Sequence, residues 1–182
     1  MATDRKIVMT PEFILSFPNL FEMREYQGKS SYQITMVFPK GTDLTALKQA
    51  AKECLDAKFP NGCKNPNNPF GKGDDKVDEW GGIFEGAIYV RASTQFAPKV
   101  VDQNRVEILD ADKVYAGCYC RALVAPYAYD KAGNRGVSFS LEAVQFIRDG
   151  KRIGGGVSID MFDDGKVAGT APAKEEDPLG EW

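Results

Sequence analysis

A mainly β chain closed into a small Greek-key barrel, with one helix after the second strand region, is the fold class that this sequence predicts. Three observations carry the expectation. Several segments alternate bulky apolar with polar side chains, the period of strands with one wet face. A single stretch, TDLTALKQAAKECLDAKF at 42–59, has helical periodicity instead. Near the end, the Asp/Gly/Asn-rich turn DKAGNR joins two long alternating runs, as in an antiparallel hairpin. The 182 residues suit one core, and 11 Phe, 7 Tyr and 2 Trp can fill it without disulfides or metals.

Taken in order, the apolar pieces Ile7 to Met9 and Phe13 to Phe17 are broken by Pro11 and Pro18, which predicts short edge strands. KSSYQITMVF at 29–38 sends Tyr32, Ile34, Met36 and Phe38 one way, and Ser31, Gln33, Thr35 and Val37 the other. Thr42 or Asp43 supplies a helix N-cap, followed by a stripe of Leu44, Leu47, Ala51, Cys54 and Leu55 over about four turns. Pro60 to Gly82, dense in Pro, Asn and Gly, reads as a long loop. In GAIYVRASTQF, residues Ile88, Val90, Ala92 and Phe96 face inward, and Tyr89, Arg91, Ser93 and Gln95 outward. The hairpin arms then offer Cys118, Cys120, Ala122, Val124 and Ala128, and Val137, Phe139, Leu141, Ala143 and Ile147, to the core. Strands in this number with one early helix match an OB-type barrel, an architecture used on nucleic acids.

Charge divides the chain in two. Residues 160–182 hold seven carboxylates against two lysines, a net of −5, while 21 basic and 19 acidic residues leave the rest at +2. The expected organisation is a folded domain over 1–159 and an acidic tail over 160–182 that buries too little apolar surface to fold. That tail closes in EEDPLGEW, where Glu175, Glu176, Asp177 and Glu181 surround apolar residues ending in Trp182, a ring suited to anchoring in a partner's pocket. The start of the chain lacks the apolar run of a signal peptide, and no stretch approaches the about 20 apolar residues of a membrane span. No membrane association is expected, and the location expected is cytoplasmic.

The complete absence of His removes the usual general base, the commonest zinc ligand and the centre of nucleophilic triads. Asp74, Asp75, Asp78 and Glu79, or Asp110 and Asp112, offer a Mg²⁺-dependent nuclease as a lesser alternative, weakened because they fall outside predicted strands and helices. Cys54, Cys63 and Cys118-x-Cys120 lack zinc spacing and read as thiols, the last two on the inner face. Glycine-rich phosphate loops are absent, so catalytic residues, metal and cofactor are all expected to be none.

With the aliphatic sides assigned to the core, the wet faces present Gln33, Tyr89, Arg91, Tyr119, Arg121 and Tyr127. Flat rings stack on any base and guanidinium groups neutralise phosphate, so the set suits single-stranded nucleic acid irrespective of sequence. Tyr89-Val90-Arg91 and Tyr119-Cys120-Arg121 repeat one aromatic-x-Arg pattern on strands expected to be neighbours. Lys64, Lys72, Lys76 and Trp80 in the long loop could close over a bound strand. The tethered carboxylates would compete with phosphates for the same cations. A protein-interaction barrel, with the aromatic surface turned to protein, is the alternative from another class.

These segments resemble bacteriophage single-stranded DNA-binding proteins with an OB fold. The resemblance rests on MVFPKGTDL at 36–44, PFGKGDDK at 69–76, GAIYVRAS at 86–93, PKVVD at 98–102, YAGCYCRA at 115–122 and YAYDKAGNRGVSFSLEAVQFIRDGKRIGGG at 127–156. It implies cooperative coating of exposed strands during phage replication or recombination in the host cytoplasm, as a homo-oligomer or an array on DNA. The acidic tail with its aromatic end is similar to those of bacterial and short-tailed-phage single-strand binding proteins, which implies contacts with phage or host replication and recombination proteins. Its tip departs from their Asp-x-Pro-Phe pattern: Asp177-Pro178 lies upstream and Trp182 stands at the end.

Overall fold

Alternation along five long strands is resolved by closing them into a ring, as the computed structural model shows for the residues it describes, 5–153. In chain order the elements are β1 (Val8–Met9), β2 (Phe13–Tyr26), β3 (Lys29–Phe38), α1 (Thr45–Lys58), β4 (Phe70–Lys72), α2 (Val77–Trp80), β5 (Ile88–Thr94), β6 (Lys99–Val101), β7 (Tyr119–Lys131) and β8 (Asn134–Arg148). Short 3-10 turns occupy Gly73–Lys76, Gly82–Phe84 and Ala111–Lys113. β2 pairs with β3, β3 with β5, β5 with β8, β8 with β7, and β7 returns to β2; within this ring only β5–β8 is parallel. This five-stranded Greek key is the OB barrel, whose closure removes exposed edges from the ring.

The interior follows the alternation. Phe13, Leu15, Ile34, Met36, Phe38, Val90, Val124, Phe139 and Leu141 are fully buried in one cluster. α1 packs on β7 and β8 through its Leu47 stripe. At its start the Asp43 carboxylate accepts from the Thr45 hydroxyl at 2.6 Å and the Thr45 N–H at 3.0 Å, which holds that carboxyl below its usual value. Two hairpin tips, Gln27-Gly28 (φ 51 and 78) and Ala132-Gly133 (φ 53 and 85), have the doubly positive backbone of two-residue turns that match strand twist.

Four expectations change. β2 is a 14-residue wall of the ring rather than a short edge strand, because Pro18 sits where the β2–β3 register shifts between Ser16 and Asn19, and a bulge tolerates a residue without an N–H. The stretch 60–82 is not one loop: it contains β4, a 3-10 turn and α2. In β8 the pairing slips at the Leu123/Val124 bulge, so Val144 enters the core and Phe146 packs against it, where simple alternation selected Ala143 and Ile147. Phe96 lies beyond the end of β5 and is 81% exposed. The expected tail, 160–182, and the 1–159 boundary lie outside the described residues.

Cys118 and Cys120 face inward as expected, as free thiols with their sulfurs 3.5 Å apart. Contact with the Cys118 sulfur, together with burial, pushes the Cys120 thiol far up, so it stays protonated. Iodoacetamide should therefore label Cys63 first, then Cys54, whose thiol burial also pushes up, and reach Cys118 and Cys120 only in denaturant, as mass spectrometry would show. Phe139, fully buried and edge-on to Phe70 at 5.9 Å, should on conversion to Ala lose about 3–5 kcal/mol in urea unfolding.

Candidate nucleic-acid interface

Because β3 and β5 send their aliphatic residues inward, their outer faces are free to carry other chemistry. The register places Thr35 beside Arg91 and Gln33 beside Ser93; Ser93 in turn pairs with Ser140 of β8, and Ser140 with Ala125 of β7. A row of small and polar residues therefore crosses four strands. A hollow opens at each end of it. The first, about 350 Å³, is lined by Phe17, Arg24, Tyr26, Gln33, Thr35, Trp80 and Arg91. The second, about 320 Å³, is lined by Arg5, Ser93, Ala125, Pro126, Tyr127 and Ser140.

Trp80 stands at the centre of the first hollow. The segment carrying it is tied down where the Gly73 N–H donates to the Ala87 carbonyl at 2.8 Å and the Gly86 N–H to the Asp74 carboxylate at 2.7 Å. Beneath it, Phe84, Ala87 and Val37 form a second small core on the outside of the barrel. The indole meets the rings of Phe17, Phe84 and Tyr89 edge-on, at 5.2, 5.3 and 5.3 Å. Two cations lie against it as well, Lys76 Nζ at 4.9 Å and the Arg91 guanidinium at 5.2 Å from the ring centre. Among the described residues neither Arg24 nor Arg91 pairs with a carboxylate, whereas Lys76 reaches Glu79 at 3.5 Å. Rings plus uncompensated guanidinium groups in one trough form a surface that favours a polyanion with flat substituents.

Phe17 reaches Trp80 through an uncommon backbone. Its φ is 47°, a left-handed value that bulky residues rarely adopt, and it occurs at the bulge beside Pro18. Strain of this kind marks positions where the surroundings over-determine the conformation, and here the result is an outward-turned ring at a groove. Phe17, Arg24 and Tyr26 were missed by strand alternation. Pro18 was the available signal, since a proline inside an otherwise regular strand calls for a bulge.

The residues singled out from the sequence are not all together. Gln33, Arg91, Trp80 and Lys76 meet at the first hollow, and Tyr127 lines the second. Tyr89 is part of the wall, its ring pressed between Trp80, Phe84 and the backbone at Gly71, rather than an open platform. Tyr119 and Arg121 lie elsewhere, because β5 and β7 are not neighbours: β8 separates them on one side, β3 and β2 on the other. The Arg148 guanidinium covers the Tyr119 ring at 3.8 Å, and Arg121 donates to Gln145 Oε1 at 3.0 Å in a hollow shared with Asp43 and Leu47. Lys72 projects from the opposite side of β4 toward α1, and Lys64 is exposed in the preceding loop. Glu175, Glu176, Asp177, Glu181 and Trp182 lie outside the described residues. Of the carboxylates weighed for Mg²⁺, Asp110 accepts from the Asp112 N–H at 2.9 Å, Asp74 from the Gly86 N–H, and Glu79 pairs with Lys76, and the described residues contain no group of three metal-ligating side chains. Among them, no helix is long and apolar enough to cross a membrane.

An OB barrel with a cationic, ring-lined trough across its central strands is the class of protein that this geometry defines. The chain belongs to the family of the Enterobacter phage Enc34 ssDNA-binding protein, whose profile matches residues 6–172. Putative protein p50 of Acyrthosiphon pisum secondary endosymbiont phage 1 is 38% identical over 170 residues, covering 85% of this chain and 91% of that protein. Among solved structures, the single-stranded DNA-binding protein of bacteriophage Enc34 in complex with ssDNA superposes with a TM-score of 0.70 at 21% identity, covering 81% of this chain and 89% of the other. The gp2.5 single-stranded DNA binding protein of bacteriophage T7 does so with a TM-score of 0.64 at 13% identity, covering 93% and 100%. The family is one of phage DNA-binding proteins, not of enzymes.

Tyr89 owes its place to Gly71, its cross-strand partner: a Cβ there would lie 2.3 Å from the phenol ring. Gly71→Ala should therefore move Tyr89 off Trp80 and shift the Trp80 emission maximum, read in a Trp182→Phe background, while lowering the melting temperature.

Proposed function

We propose that this protein coats single-stranded DNA without regard to sequence, by laying the strand across the outer faces of β3, β5 and β8 from the Trp80 hollow to the Tyr127 hollow. The observation that carries the reading is the grouping of Phe17, Tyr26 and Trp80 with the carboxylate-free Arg24 and Arg91, on the β3–β5 strand pair and beside the Gln27-Gly28 tip, a face and a loop that OB barrels use for oligonucleotides. Bases stack on the rings, and phosphates draw the guanidinium groups and Lys76. The row Gln33, Ser93 and Ser140 contacts the strand with groups small enough to admit any base. The family supports the reading through its namesake, an ssDNA-binding protein.

The same reading extends to biology. Coating of exposed strands serves phage DNA replication and recombination in the host cytoplasm, with copies arranged along the DNA. The acidic segment 160–182 competes with phosphates for the cationic trough, and DNA releases it toward replication and recombination proteins that take the Trp182 end.

Oligothymidine titration of the Trp182→Phe chain tests this through Trp80 quenching. Trp80→Ala, followed by anisotropy of labelled oligothymidine, and Arg91→Ala should each weaken binding by about 1–3 kcal/mol, whereas Tyr119→Ala and Arg121→Ala should stay within about twofold. Three cations at the first hollow give a slope of log affinity on log salt of about −2, which Arg91→Ala should make shallower. Neutralising Glu175, Glu176, Asp177 and Glu181 should tighten binding. Preference for duplex over oligothymidine would overturn the proposal.

A further inference from the structure

On the other side of β4 and β5 lies a second groove that the DNA reading leaves unused. Alternation sends Phe70, Lys72 and Ile88 away from the face that carries Tyr89 and Arg91, toward α1. Together with Lys48, Lys52 and Leu55 of α1 they line a groove of about 590 Å³. Its floor is apolar: Leu55, Phe70 and Ile88 all pack on the barrel core from a half-buried position. Its rim holds three lysines and its lining no carboxylate, and the Lys48 ammonium lies 6.0 Å from the centre of the Phe70 ring. An apolar slot of this size with a few cations at its rim suits an apolar side chain flanked by carboxylates. Stacking of successive bases is poorly served here, because the floor offers one half-buried ring among aliphatic groups.

This chain carries a segment of that chemistry. Glu175-Glu176-Asp177-Pro178-Leu179-Gly180-Glu181-Trp182 has four carboxylates, no base, and two large apolar side chains. Its tether begins at Ile153, whose N–H donates to the Ala116 carbonyl at 3.0 Å. The residues from 154 to 182 reach up to about 95 Å when extended. That exceeds the breadth of a domain of this size, whose radius of gyration is about 15 Å, so the segment can reach any side of the barrel. We infer that residues 175–182 dock in the α1–β4 groove, with Trp182 or Leu179 on the Leu55–Phe70–Ile88 floor and the carboxylates against Lys48, Lys52 and Lys72. The inference builds on the reading above by naming where the segment rests once DNA holds the Arg91 face. Since the groove lies across the sheet from that face, DNA leaves it open.

Photocrosslinking of the full chain tests this. With p-benzoylphenylalanine in place of Trp182 and saturating oligothymidine present, peptide mapping should find the crosslinks in α1 and in residues 66–72. The double variant Lys48→Glu/Lys52→Glu, altered only at exposed positions of α1, should lower their yield about fivefold or more. Crosslinks concentrated on the Arg91 face, spread evenly over the surface, or unchanged by the charge reversal would overturn the inference. The two readings fail separately, because the double variant should bind oligothymidine like the parent. Loss of oligothymidine binding by the parent chain would count against the DNA reading alone, and the crosslinks, mapped again without oligothymidine, would still decide this one.

Discussion

Ring closure requires each long strand to be two-faced. Once β7 returns to β2, every strand has an inner face that must be apolar and an outer face that the barrel core does not use. β5 shows the division over seven residues: Val90 and Ala92 are buried, while Arg91 is exposed between Tyr89 and Ser93. The chemistry of the trough is therefore inseparable from the core, since slipping β5 by one residue would bury the guanidinium and expose the valine. The two bulges show the same rule where it is relaxed. One turns Phe17 outward to meet Trp80; the other changes which residues of β8 reach the interior.

The Trp80 segment adds a second layer to this design. A small outer core of Val37, Phe84 and Ala87 holds it, so the indole is positioned by packing rather than by a long flexible loop. Lys76, Arg91 and three neighbouring rings surround the indole. Cation–π contacts at exposed sites are worth only about 0.5–1 kcal/mol, so these two cations are held weakly against the indole. The arrangement keeps the cations at the mouth of the trough and the ring close behind them.

Local periodicity made a large part of the barrel legible. β3 spans Lys29–Phe38 as its alternation indicates, α1 follows its apolar stripe, and the long hairpin turns within DKAGNR. The family resemblance, carried by motifs such as PFGKGDDK and YAGCYCRA, was legible too, and it agreed with the barrel that the periodicity predicts. What local pattern lacks is strand order. Tyr89-x-Arg91 and Tyr119-x-Arg121 look equivalent in sequence, yet only a ring with β8 between β5 and β7 explains why one pair meets Trp80 and the other is covered by Arg148 and Gln145. Tyr26 escaped notice because a hairpin tip obeys turn geometry rather than strand period. The Trp80 segment read as loop because it is anchored by long-range contacts, Gly73 to Ala87 and Asp74 to Gly86, that composition does not announce.

Charge distribution completes the physical picture. The first 159 residues carry only +2, so a broad positive field is not available to hold a polyanion. Among the described residues Arg24 and Arg91 are left without carboxylates, while Arg135 and Arg148 are paired to Asp130 and Glu12. The Arg24 and Arg91 guanidinium groups line one hollow together with Phe17, Tyr26 and Trp80. Two separate cationic surfaces result, one faced with rings and one floored by Leu55, Phe70 and Ile88, and they differ in what lies beneath the charge.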